Sequence, residues 1–178
     1  MSCESLRNGY PADSTLFDRK TLSGIVVRLT VDGTRYLSVL VSSDGTLERG
    51  GRGEHEFATR LADYDLFSQV VQKVSPDVLR WAGQSWSDPH PKGKTCELLI
   101  ALRDGAGCEL ASRWTYGTES PEPPKEIRDF VLEVVETTNP WYRRQIELRQ
   151  KRPRSREGAA WRLVPLVPTG EANMEGVK

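Results

Sequence analysis

Two β-rich runs, 25–31 and 35–42, stand on either side of the dipeptide Asp32-Gly33. Asp-Gly suits the positive φ angles at both central positions of a two-residue type I′ turn, so this stretch is committed to a β-hairpin. A second turn signal, Asp44-Gly45, leads into a short third strand around 46–49 and completes an antiparallel meander. Counted outward from a two-residue turn, Ile25, Val27 and Leu29 share a face with Tyr36 and Leu40. Val26, Leu37, Val39 and Val41 then fall on the opposite face with Arg28 and Arg35, a face too apolar to be left wholly in water.

From Asp65 the pattern changes period. Leu66, Phe67, Val70, Val71 and Val74 recur at helical spacing, and Ser75-Pro76 ends or kinks that helix before a short turn carrying Val78, Leu79 and Trp81. Residues 83–94, with two prolines and two glycines, read as an exposed loop. A second hairpin follows, 96–102 and 108–116 around Gly105-Ala106-Gly107, in a register that sets Leu98 against Trp114, Leu102 against Leu110 and Cys96 against Tyr116. Cys96 and Cys108 then lie at opposite ends of the ribbon, roughly 26 Å apart at ~3.3 Å per residue, and cannot be partners. After Pro123-Pro124, Ile127, Phe130, Val131, Val134 and Val135 form one apolar stripe of a helix that Asn139-Pro140 is expected to close.

The order is meander, helix, hairpin, helix. It specifies an α+β domain at 24–141 with about five antiparallel strands and helices packed on one face. Residues 1–23 read as a flexible arm, and 142–178 as a basic tail holding an apolar segment at 159–167. Tyr36, Leu37, Val39 and the Asp44-Gly45-Thr46 turn, then Phe67, Pro124, Phe130 and Trp141, resemble a family of small bacterial α+β domains of uncharacterised function. The likeness spans about two thirds of the chain and rests on turn and core positions. It carries no catalytic residue across.

Net charge is zero, with 25 basic and 25 acidic residues, but the charge is segregated. Residues 1–141 hold 16 basic and 21 acidic side chains, a balance of −5; residues 142–178 hold 9 and 4, a balance of +5. No stretch approaches the ~18 apolar residues of a membrane span, and three cysteines without a CxxC pair suit a reducing compartment, so a cytoplasmic location is expected.

Catalytic constellations fail on spacing. Gly50-Gly51-Arg52-Gly53 lacks both phosphate-loop patterns, and His55 and His90 sit in no nucleophile context. No HExxH or CxxC spacing supports a metal, and the pairs Glu54/Glu56 and Asp63/Asp65 read as solvated or capping groups. No catalytic residue, metal or cofactor is assigned.

Partner signals are stronger. Trp86 is flanked by Ser85, Ser87 and Asp88, with no apolar neighbour in its loop to bury it. Arg143, Arg144, Arg149, Lys151, Arg152, Arg154 and Arg156 place seven cations in fourteen residues with only Glu147 between them. Trp161, Leu163 and Leu166 mark the apolar segment, which reads either as an edge strand or as a docking peptide. The expectation is a non-enzymatic binding or regulatory module acting through protein–protein contacts. The alternatives are a nucleic-acid-binding protein using the basic tail and a small enzyme of unrecognised type.

Overall fold

The computed structural model describes residues 18–52, 56–59 and 64–151. A 3-10 turn at Arg19–Thr21 leads into strands β1 (Leu22–Val31), β2 (Thr34–Ser42), β3 (Leu47–Gly50) and β4 (Phe57–Thr59). Helices α1 (Tyr64–Gln72) and α2 (Pro76–Arg80), strands β5 (Ser85–Ser87), β6 (Thr95–Asp104) and β7 (Glu109–Gly117), and helix α3 (Lys125–Lys151) follow. The strands form one sheet in the order β4-β3-β2-β1-β6-β7-β5. Every neighbouring pair is antiparallel except β5 with β7.

The α+β class is therefore found, but among the described residues the sheet is mixed and has seven strands rather than about five antiparallel ones, and the helices number three. The two additional strands are three residues each, too short for a period-2 pattern to register. Ser85–Ser87, expected as loop, is held beside β7 by Arg113 N–H to the Gln84 carbonyl (3.0 Å) and Asp88 N–H to the Thr115 carbonyl (2.8 Å). Ser75 divides α1 from α2 as its spacing suggested: its hydroxyl accepts from Val78 N–H at 3.2 Å, and Pro76 occupies the first turn.

Both hairpins form. Asp32 and Gly33 take φ of 49° and 72°, the signs a type I′ turn requires. The β6–β7 register is the expected one, with Leu98 opposite Trp114, Leu102 opposite Leu110 and Cys96 opposite Tyr116. The β1–β2 register is not. Thr30 pairs with Arg35, but Leu29 pairs with Leu37, so Tyr36 is an extra residue bulged out of β2. A one-residue bulge reverses the facing of everything beyond it. Val39 and Val41, expected opposite Val27 and Ile25 in facing, instead pair with them, and all four are almost fully buried. Without the bulge the core face of β2 would carry Ser38 in place of Val39.

The core lies between this face and the helices: Ile25, Val27, Val39, Leu98, Ile100 and Trp114 from the sheet meet Val70, Val74, Val78, Ile127, Phe130 and Val134. Among the described residues no helix or strand covers the opposite face. No described helix is long and apolar enough to cross a membrane.

Helix α3 departs most from expectation, because it runs through Pro140 to Lys151. Proline removes one backbone donor, which here would have served Glu136. Both residues are exposed. Two residues later Tyr142 is buried, its ring 5.5 Å from Phe57 of β4 in edge-on contact and 4.8 Å beneath the Arg49 guanidinium. Arg49 is itself only 4% exposed and donates from Nη1 to the Val135 carbonyl (3.0 Å) and to Thr138 Oγ1 (2.8 Å). This clamp holds the helix against β3 on both sides of the proline. Replacing Thr138 with Val keeps the shape but removes an acceptor from a buried cation, which should cost about 1–3 kcal/mol. Urea denaturation measures that loss, and an unchanged midpoint would show that the clamp is not needed.

Candidate functional site

The path of α3 decides where the sequence-level candidates end up. At its start, Trp81 Nε1 donates to Glu126 Oε1 (3.0 Å), and the same indole packs edge-on against Trp114 of β7, centroids 6.4 Å apart. Twelve residues on, Thr138 accepts from Arg49 of β3. Twelve residues of helix rise about 18 Å, and the four strand spacings from β7 to β3 span about 19 Å, so this stretch of α3 is long enough to run across the sheet from the Trp114 side to the Arg49 side. Among the described residues only β4 lies beyond β3. The helix continues for nine residues after Tyr142, about 13 Å, and residues 143–151 extend past the edge of the sheet.

Arg143, Arg144, Arg149 and Lys151 all lie on this overhang and are exposed. None of them makes an ion pair among the described residues. Leu148, on the side of the helix that nearer the sheet is packed down, is 49% exposed. Arg149 and Lys151 occupy the last turn, where cations complement the carbonyl end of the helix. That effect fades within a turn, so it does not account for Arg143 and Arg144.

Trp86 lies at the opposite edge. Its β5 position pairs in register with Trp114, and it is 40% exposed, so it stands on an edge strand of the sheet rather than in a loop. Six strand spacings separate β5 from β4, about 29 Å. Trp86 and the basic helix end therefore form no common site. Arg152, Arg154, Arg156, Trp161, Leu163, Leu166 and His55 lie outside the described residues.

His90 is exposed in the loop after β5, where its N–H donates to Asp88 Oδ1 at 2.9 Å, the main cause holding the Asp88 carboxyl below its ordinary range. Cys96 is a buried thiol whose pKa is raised by burial and, secondarily, by Asp32. Among the described residues no three His, Cys, Asp or Glu side chains converge as a metal site. Surface depressions occur around Val26, Leu40, Ala101 and Arg103, and around Arg35, Ser38, Glu48 and Glu56. Arg103 is paired with Glu109 and Arg35 with Glu56 at these places.

Two features escaped the sequence reading. Arg49 is in phase with Leu47 along β3, a visible sign that its side chain turns inward. The second is a solvent ridge on α3, Asp129, Leu132, Glu136, Pro140, Arg143, Glu147 and Lys151, spaced by three or four residues and all exposed. Its charge changes sign at Pro140. No protein-family model matches the chain, and searches of curated proteins and of solved structures return no match.

The indole N–H of Trp81 is the largest cause depressing the Glu126 carboxyl. A carboxyl depressed in the folded state stabilises the fold above its unfolded pKa, and that contribution disappears as pH falls through the folded value. Trp81→Phe should therefore raise the Glu126 titration midpoint and weaken the acid-side dependence of stability. A carboxyl-resolved NMR titration tests this, and an unmoved Glu126 midpoint would exclude the indole as the cause.

Proposed function

We propose that this protein is a non-enzymatic binding module that acts through protein–protein contacts, with the exposed ridge of α3 and its overhanging basic end as the working surface. The observation that supports this reading is the pair Arg143 and Arg144. Both are exposed, neither has an ion-pair partner among the described residues, and both stand too far from the helix end to serve its dipole. Cations at the rim of an interface steer oppositely charged partners and set specificity more than they add affinity.

An Arg143→Glu/Arg144→Glu variant of the full chain should retain the circular dichroism spectrum and thermal midpoint of the natural protein. It should lose its captured partners by about tenfold or more, since charges of like sign now meet. Affinity capture followed by quantitative mass spectrometry checks this. Identical partner sets on both proteins would contradict the assignment of the surface.

The seven cations at 143–156 also keep nucleic acid in view as a second reading. It requires binding to a labelled DNA duplex whose log K falls with log salt at a slope of about −0.9 per phosphate contact. Absence of duplex binding at low salt removes that reading.

A further inference from the structure

We infer that the ridge of α3 docks against the same ridge of a second copy of this chain, antiparallel, about a two-fold axis near Asn139 and Pro140. The inference rests on the reading of α3 as the working surface and names its partner.

The charge pattern supplies the occupant. Residues 125–136 of α3 carry Glu126, Asp129, Glu133 and Glu136 against Lys125 and Arg128, a balance of −2. Residues 143–151 carry Arg143, Arg144, Arg149 and Lys151 against Glu147, a balance of +3. A helix that is acidic in one half and basic in the other complements itself only when reversed. A two-fold contact is self-complementary by construction, each half meeting the other half of its mate.

The spacing agrees with one register. With the axis at 139–140, Glu136 falls opposite Arg143 and Arg144 of the second copy, and Asp129 falls opposite its Lys151. Pro140 lies at the crossing, exposed and without a long side chain, where two helices must approach to within ~8–10 Å. Leu132, 58% exposed, meets the stem of Glu147. Glu133, which would face Glu147 of the second copy, already leans toward Lys73 of its own chain at 3.9 Å. Asp129 likewise is shared with Lys125, and Glu136 makes no ion pair among the described residues.

The contact is small. A ridge of 27 residues is about 40 Å long, and at a width of about 10 Å it buries on the order of 800 Å² over both copies, below the ~1,200–2,000 Å² of stable complexes. The dimer is therefore weak and salt-sensitive.

A charge exchange between positions 136 and 144 tests it. By sedimentation velocity the natural full-length chain should self-associate at low salt and dissociate in about 1 M salt, where the Debye length is ~3 Å. Arg144→Glu alone and Glu136→Arg alone should each weaken association at least about tenfold by placing like charges together. An equimolar mixture of these two variants should associate again, because in that pair each position 136 meets an opposite charge at position 144. Matching circular dichroism of all three proteins shows that folding is not the cause. A natural chain that stays monomeric at low salt, self-association indifferent to both substitutions, or a mixture that fails to associate would each overturn the second-copy assignment. If foreign partners are still lost on Arg143→Glu/Arg144→Glu, the binding surface survives and only its occupant is wrong; if they are retained, both readings fall.

Discussion

A buried arginine holds the longest element of this protein in place. Arg49 points into the core from a strand next to the sheet edge and donates to a helix carbonyl and a helix hydroxyl, with a tyrosine ring against its guanidinium. Burying a guanidinium is costly unless its N–H groups find hydrogen-bond partners or an opposite charge, and removing one partner costs more than the contact itself contributes. Three of the groups it engages, Val135, Thr138 and Tyr142, lie on both sides of Pro140. The helix consequently continues where its sequence would stop it, and the residues beyond Tyr142 are carried past the edge of the sheet as an ordered projection.

The core face that Arg49 shares depends on the bulge at Tyr36. The Asp32-Gly33 turn fixes the closing pairs of the hairpin, Val31 with Thr34 and Thr30 with Arg35. The choice between Val39 and Ser38 as the inward residue is then settled by burial, and one unpaired residue is the means of settling it. The β6–β7 hairpin needs no such correction, because its apolar residues already alternate in phase with its three-residue loop. Hairpin positions, the division between α1 and α2, and the start of α3 after its prolines were thus legible from local chemistry. The bulge, the through-running Pro140 and the three-residue strands β4 and β5 were not, since each is decided by contacts distant in sequence.

The candidate surface was half legible. The crowding of cations after Tyr142 is plain in the sequence, but a string of residues does not say that four of them continue the helix that crosses the sheet. The acidic counterpart, Asp129, Glu133 and Glu136, read only as the solvated side of an amphipathic helix. Trp86 gave the reverse error of context: its composition suggested a bare loop, and the structure pairs it with Trp114. What links these cases is direction. The α3 helix sets off from the Trp81–Trp114 edge and finishes beyond the β4 edge, so the aromatic and basic features are held at opposite ends of the sheet.

The continuity of α3 through Pro140 is the claim on which the surface depends, and a distance across the molecule tests it most directly. Nitroxide labels placed by Trp86→Cys and Leu148→Cys in the full chain report that distance by pulsed electron–electron resonance. The β7–β3 crossing, one further strand spacing to β5 and ten helical residues beyond Thr138 together place the labelled positions about 40 Å apart. A narrow distribution near that value is the expected result. A distribution centred below about 25 Å would mean that the chain turns back at Pro140, and the overhanging basic ridge would not exist.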